Sequence, residues 1–373
     1  MAVAARIEPK FRRHAADAGS EYLPRLPQPI SQCWTQPPRP RSSLETPQLS
    51  VVIVNFCQWN NTARLTWQLR QSEAVRRGAA EIMIVDNHSP WQPIAKRLRR
   101  LSGVSIVRNR GNHGFARAVN RGSRISRGEW VLLLNPDVTV PEGFLDQVLD
   151  AAQRWPAIDP RAGVIGFQLR HRDGTRQASA GPFPTLVRTV TGLLLPRSRR
   201  KCRHHSLRER QSVSWVTGGC LLVRRDCLQE LGGMDESYFL YYEDVDFCLR
   251  ARRAGWSVWY EPALRVTHHF PLHSRPVPAP LRLVTRHALL TYARKHWPGW
   301  QAGVISGIVW LEAGLRQCWS RWRGRTEAAV VYQQLQELVG DLHRGRIAKA
   351  RQRIRLAARL LEPVAAAQDG QTR

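Results

Sequence analysis

Five carboxylates, a histidine pair and several asparagines carry most of the chemistry open to this chain. Asn55, Asp86-Asn87 and Asn135-Pro-Asp137 each close a short apolar run, and His268-His269 follow another. Glu243, Asp244 and Asp246 are clustered, with Arg250 four residues beyond Asp246. An ionised carboxylate can take the proton of an attacking hydroxyl late in bond formation. A carboxylate beside an imidazole can hold a hard divalent cation. Each residue also has a plain structural use, since Asp and Asn cap helices and open turns. Convergence at several strand ends is what marks a site.

Positioning them requires elements. Ser50–Phe56, Glu81–Asn87, Val104–Val107 and Glu129–Asn135 read as strands apolar on both faces, which suits a parallel sheet covered by helices. Phe115, Val119, Gly122 and Ile125 recur at helical spacing between the last two. The series predicts an open α/β sheet, Rossmann-like and mostly parallel, with its ligands beyond the carboxyl ends of the strands. Short strands are expected at Val164–Leu169, Val213–Val216 and near Val258 and Val266, with a turn at Asp173-Gly174. Residues 243–254 read as a helix stopped by Gly255. Its first turn favours ionised carboxylates at Glu243, Asp244 and Asp246. Asp246 and Arg250 would pair on one face. Tyr238, Phe239, Tyr241 and Tyr242 predict a partly desolvated pocket floor.

Three segments are expected: residues 1–48 as a Pro-rich disordered tail, 49–280 as the catalytic domain, and 281–373 as a basic helical region. The chain carries 57 Lys plus Arg against 29 Asp plus Glu, a net charge of +28, and only five of the basic residues are Lys. No apolar run is long enough for a membrane span, and the first 30 residues lack the apolar core of a secretory signal. The seven Cys include no C-x-x-C pair, which argues against structural zinc and for reduced thiols in a cytoplasmic protein. Neither a dinucleotide Gly-rich turn nor a P-loop is present. A non-catalytic basic adaptor for nucleic acid or anionic lipid is the alternative that the charge suggests. No nucleic-acid motif supports it, and no nucleic-acid partner is expected.

The motifs taken in order resemble family 2 glycosyltransferases of the GT-A fold, closest to the rhamnosyltransferase-like branch. They are Ser50-Val-Val-Ile-Val-Asn-Phe56, Val85-Asp-Asn-His-Ser89, Asn112-His-Gly-Phe-Ala-Arg-Ala-Val-Asn120, Leu133-Leu-Asn-Pro-Asp-Val138, Thr217-Gly-Gly-Cys220 and Glu243-Asp-Val-Asp-Phe-Cys-Leu-Arg250. Asn135 stands where the family's D-x-D motif has its first acid. The resemblance implies an inverting, metal-dependent transfer of a sugar, favoured as L-rhamnose from dTDP-L-rhamnose, to a saccharide or polyprenyl-linked acceptor in cell-surface polysaccharide synthesis. UDP-galactofuranose and UDP-N-acetylglucosamine are the alternative donors. It implies Asp244 as base beside Glu243, and donor contacts from Asn55, Asp86, Asn112, Gly114 and Asn135. Gly218 and Gly219 would admit the acceptor, and Asp246 with Arg250 would support the base. Mg²⁺ or Mn²⁺ would sit on Asp137 and His268, with His269 the alternative ligand. A lipid-linked acceptor implies a peripheral site on the inner face of the cytoplasmic membrane. Basic segments with apolar partners, at Leu194–Arg203 and Lys349–Leu361, together with Trp297, Trp300, Trp310, Trp319 and Trp322, predict contact with an anionic surface.

Overall fold

A computed structural model describes residues 46–194, 208–270, 277–362, 366 and 369. All of the predicted tail but residues 46–48, and the basic stretch after Leu194 as far as residue 207, lie outside them. The four predicted strands form as β1 (Leu49–Asn55), β2 (Ala80–Asp86), β3 (Val104–Arg108) and β4 (Trp130–Leu134). They pair in parallel in the order β3-β2-β1-β4. β1, β4 and nearly all of β2 are buried, as their unbroken apolar runs require. Helices α1 (Trp59–Arg70), α2 (Glu73–Arg76), α3 (Pro93–Leu98) and α4 (Phe115–Ile125) make the crossovers. Gly122 of α4 packs so closely on the sheet that a Cβ would meet Val52 at 2.7 Å and Val85 at 2.8 Å. Ile125, expected on the buried face, is exposed in the last turn.

The second half of the sheet is mixed rather than parallel. β5 (Val138–Thr139) and α5 (Phe144–Ile158) lead into β6 (Ala162–Arg170). The Asp173-Gly174 turn returns the chain as β7 (Arg176–Gln177), followed by β8 (Ala180–Gly181) and α6 (Leu186–Leu194). The strand predicted at Val213–Val216 is instead two short pieces. β9 (Gln211–Ser212) joins the main sheet, and β10 (Trp215–Val216) leaves it to pair with β8. β11 (Cys220–Arg224) then runs antiparallel between β4 and β6.

After α7 (Arg225–Glu230) and α8 (Glu243–Arg253), Gly255 ends the helix at φ +82°. The two strands expected near Val258 and Val266 are one, β12 (Ser257–His268), irregular between Glu261 and Arg265. Pro262 lies in that interval and supplies no ladder N–H. The last part is helical: α9 (Ala279–His296), α10 (Gly299–Trp322), α11 (Thr326–His343) and α12 (Ile347–Arg359). Their apolar core includes Leu283, Ile305, Leu335 and Ile354, and the turn Phe239–Tyr242 packs against it. Ile354, expected on a membrane-facing stripe, is therefore an internal residue. Trp297 is also tied inward, its indole N–H donating to the Pro184 carbonyl at 3.0 Å. No described helix is long and apolar enough to cross a membrane.

Candidate active site

The carboxyl ends of β1, β2 and β4 open onto a cavity of about 240 Å³, lined by Asn87, Asn112, Gly114, Asn135, Asp137 and His268 among others. Asn55 and Asp86, expected on its wall, are instead fully buried. Asn55 donates to Asp86 Oδ1 at 3.0 Å and to Ser89 Oγ at 3.1 Å, and accepts from the Thr62 hydroxyl at 2.8 Å. Its hydrogen bonds hold the strand ends together. Asp86 Oδ1 also accepts the Ser89 N–H at 3.2 Å, while its Oδ2, 3.4 Å from Arg108 Nε, has no hydrogen-bond partner. Asn87, the next residue, reaches the cavity that Asp86 does not. It donates to Asn112 Oδ1 at 2.9 Å and to the Gly114 carbonyl at 3.1 Å.

Gly114 is required by its surroundings. It sits at φ +93°, and a Cβ there would run into the backbone of Phe239. The next amide, Phe115 N–H, donates to the Phe239 carbonyl at 2.7 Å. This stitches the loop before α4 to the turn before α8. In that turn Tyr241 and Tyr242 take φ of +73° and +67°, left-handed backbone that costs non-glycine residues of order 1 kcal/mol or more each. Of the four aromatics predicted as its floor, Phe239 and Tyr241 line the cavity, whereas Tyr238 is fully buried and Tyr242 is not among the lining residues.

Asp137 and His268 are brought together by antiparallel pairing of β12 with β5, in which His268 lies opposite Val138. His268 Nε2 stands 3.5 Å from Asp137 Oδ2. His269 faces the other way, bonded to Thr139 Oγ1 at 2.7 Å and accepting from Arg172 at 2.9 Å. Alternate residues of a strand point to opposite faces, so only one of the pair can join Asp137. Among the described residues no group of three or more His, Cys, Asp or Glu converges as a metal cage. Two ligands suit an open site that a diphosphate completes. The neighbouring amide of Gln177 permits the tautomer that a metal requires. Gln177 Nε2 lies 3.0 Å from His268 Nδ1, leaving Gln177 Oε1 buried without a partner. Turning the amide over lets Nδ1–H donate to that oxygen and leaves the Nε2 lone pair directed toward Asp137. Sequence reasoning had no signal for Gln177, which arrives from the β6–β7 hairpin.

The first turn of α8 holds the carboxylate cluster. Asp244 Oδ2 accepts the Gly218 N–H at 2.9 Å and Oδ1 the Val245 N–H at 2.8 Å, and the side chain is partly exposed. A Cβ on Gly218 would approach Asp244, and one on Gly219 would approach Asn135 and His268, each at 3.7–3.9 Å. Gly218 thus neighbours the base candidate, and Gly219 the metal candidate.

Glu243 departs from expectation. It is buried with Oε2 unpartnered, and burial, reinforced by Asp244, raises its pKa well above the carboxylate range. Burial thus favours its neutral form over the ionised one expected from the helix position.

Asp246 is fully buried, and burial alone would favour its neutral form. His296, Arg250 and Lys295 outweigh that and hold its pKa far below normal. The contacts from Arg250 Nε, Lys295 Nζ and His296 Nε2 are each 2.7 Å. Lys295 also bridges to Asp235 at 2.7 Å. The pairing with Arg250 follows from i,i+4 spacing, whereas Lys295 and His296, from α9, were not anticipated.

The helical region also enters the cavity itself, through Leu281, Ala358 and Leu361. Asp369 accepts the N–H groups of Asn60 and Asn61 at 3.1 and 2.9 Å, at the start of α1.

A mixed sheet whose parallel strand ends open onto a largely apolar cavity edged by Asn87, Asn112, Asn135, Asp137 and His268 has the architecture of a GT-A fold. Residues 47–286 match the family described as Glycosyltransferase like family 2, and the chain belongs to that family as a glycosyltransferase. It is 34% identical over 278 residues to the N-acetylglucosaminyl-diphospho-decaprenol L-rhamnosyltransferase of Mycobacterium tuberculosis, spanning 69% of this chain and 88% of that protein. It is 27% identical over 144 residues to the rhamnosyltransferase WbbL of Escherichia coli, spanning 38% of this chain and 52% of that protein. A solved structure with a similar fold is the mannosyltransferase PcManGT from Pyrobaculum calidifontis in complex with GDP-Man and Mn²⁺. It has a TM-score of 0.46 and 16% identity over 90% of each chain.

Proposed function

We propose that this enzyme transfers L-rhamnose from dTDP-L-rhamnose to a hydroxyl of a polyprenyl-diphosphate-linked saccharide, with inversion at the anomeric carbon. The carrying observation is Asp244, a partly exposed carboxylate fixed by the Gly218 and Val245 amides beside the strand-end cavity. The likeness to the mycobacterial rhamnosyltransferase supports this choice of sugar and acceptor.

The acceptor oxygen attacks the anomeric carbon from the side of Asp244 as the bond from that carbon to the diphosphate breaks. Asp244 takes the hydroxyl proton, and the nucleoside diphosphate leaves with the electron pair. The groove left by Gly218 and Gly219 admits the acceptor. Asn87, Asn112 and Asn135 supply amides to the donor, and Gly114 keeps their loop against Phe239. Asp86, buried against Arg108, holds the strand end that presents Asn87 to the donor. Asp137 and His268 would hold Mg²⁺ or Mn²⁺, which supplies charge neutralisation at the departing diphosphate when bound. Gln177 orients His268. The raised pKa of Glu243 disfavours a second negative charge beside Asp244, and Asp246, held by Arg250, Lys295 and His296, anchors the helix.

The test is a screen of nucleotide sugars with Mn²⁺ or Mg²⁺, read by binding and by slow donor hydrolysis. The reading requires dTDP-L-rhamnose to be preferred. Preference for a UDP-sugar would overturn the donor, and no turnover of any sugar nucleotide would overturn the catalytic assignment.

A further inference from the structure

Helix α10 is apolar on two faces, and among the described residues the bundle core covers only one of them. Ala302, Ile305, Val309 and Ala313 are buried in the helical bundle. On the other side Trp300, Val304, Leu311, Leu315, Trp319 and Trp322 are exposed, from 44% at Val304 to 73% at Trp322. At 3.6 residues per turn, all of these but Trp319 fall within an arc of roughly 60°, in a stripe about 33 Å long. Soluble chains rarely leave so long an apolar run uncovered without a partner.

We infer that this stripe is the face by which the enzyme lies on an anionic membrane surface, with α10 parallel to the bilayer plane. Three observations choose this occupant over a second copy of the chain. The protein carries a net charge of +28, which repels a like molecule and attracts an anionic lipid surface. The stripe ends in a basic patch of exposed Arg321, Arg323 and Arg325. The Arg323 guanidinium lies 4.7 Å from the Trp319 ring centre and 5.5 Å from that of Trp322, a pairing of cation and indole suited to the headgroup layer. The helix carries too little unbroken apolar sequence to span, so it lies flat.

The face is fixed to the catalytic machinery through α9. Glu312 of α10 pairs with Arg282 and Arg286 at 3.1 and 2.7 Å, and the far end of α9 delivers Lys295 and His296 to Asp246. Docking would therefore set the orientation of the active site toward the bilayer. The inference deepens the lipid-linked acceptor reading but rests on the surface of α10, and its test is independent of catalysis.

The full chain is sedimented with phosphatidylcholine vesicles, with and without phosphatidylglycerol, while tryptophan emission is followed. Binding should require the anionic lipid, weaken with salt and shift the emission to the blue. Leu311→Glu with Leu315→Glu should lower vesicle affinity by about a hundredfold, leaving the melting temperature and vesicle-free donor hydrolysis unchanged. Arg321→Gln with Arg323→Gln and Arg325→Gln should reduce the salt-sensitive part alone. The inference is overturned by wild-type protein that ignores both vesicle types or binds them equally. It is equally overturned by a stripe variant that binds as well as wild type, or by a wild-type dimer that the variant makes monomeric without vesicle binding. Loss of donor hydrolysis in wild type would count against the catalytic reading and leave the docking result standing.

Discussion

Asp244 and its neighbour Glu243 differ by one position and by their burial. Asp244 is partly exposed and held by two backbone amides, while Glu243 is sealed with an orphan oxygen. Asp244→Asn keeps the size and the acceptor oxygen for Gly218 but cannot take a proton. Turnover should fall 10²–10⁴-fold, on the order expected for a general base, with donor affinity retained. Steady-state rates beside calorimetric binding of the donor check this, and near-native turnover in a folded variant rules the base out. At the metal candidate, Asp137→Ala should abolish the effect of Mn²⁺ on dTDP affinity. Gln177→Leu should weaken it by 10–100-fold, the usual range for a group that orients a metal-bound histidine. Titration calorimetry with and without Mn²⁺ reads both without any turnover. Mn²⁺-dependent binding that survives Asp137→Ala would move the diphosphate clamp to other residues.

Helix α8 carries all three acids at one end, and the tertiary partners of that end decide their charge. Because the Glu243 pKa is raised in the fold, the native state holds a proton that the unfolded chain has released. Its contribution therefore diminishes as pH rises above the ordinary glutamate value, by up to about 1.4 kcal/mol per pH unit, until the raised value is reached. Glu243→Gln should remove that slope and raise the melting temperature at pH 7.5 more than at pH 5. Thermal melts at the two pH values decide it, and an equal or reversed effect means Glu243 is ionised in the fold. Asp246 has the opposite sign. Its depressed pKa gives stability that is complete above the ordinary aspartate value and lost as pH falls through the lowered one.

At the scale of the molecule, the C-terminal helices are built into the active site. They wall the cavity with Leu281, Ala358 and Leu361 and clamp Asp246 with Lys295 and His296. Ending the chain at residue 280 would strip Lys295 and His296 from a fully buried carboxylate, a change worth about 3–5 kcal/mol when one partner of a buried pair is lost. It would also uncover the turn Phe239–Tyr242. The shortened chain should be insoluble, or melt far below the full one and bind no donor. Circular dichroism and donor titration would show this, and a stable, donor-binding chain of residues 46–280 would make the helical region an independent attachment.

Legibility in the sequence followed the range of the interactions. Apolar runs of strand length announced β1 to β4, and the polar residues closing them marked the cavity, because strand alternation and strand-end placement are local properties. The Asp246–Arg250 pair was equally local, four residues apart on one helix. By itself the sequence determined the parallel half of the sheet, the polar strand ends, the carboxylate helix and the ordered motifs of the family. Tertiary structure decided what depends on which surfaces meet. The β12–β5 register chose His268 over His269, and close packing beneath the strand ends buried Asn55 and Asp86 while leaving Asn87 in the cavity. The mixed half of the sheet, where β11 slips in antiparallel, also had no period to announce it. The helical bundle turned Ile354 inward and left the α10 stripe outward, although both carry the same kind of apolar spacing. Desolvation favoured the neutral form of Glu243, and the docking of α9 brought Lys295 and His296 to Asp246 from 45 or more residues away. Burial depends on the whole fold, and so the charge of a side chain cannot be read from its neighbours in sequence.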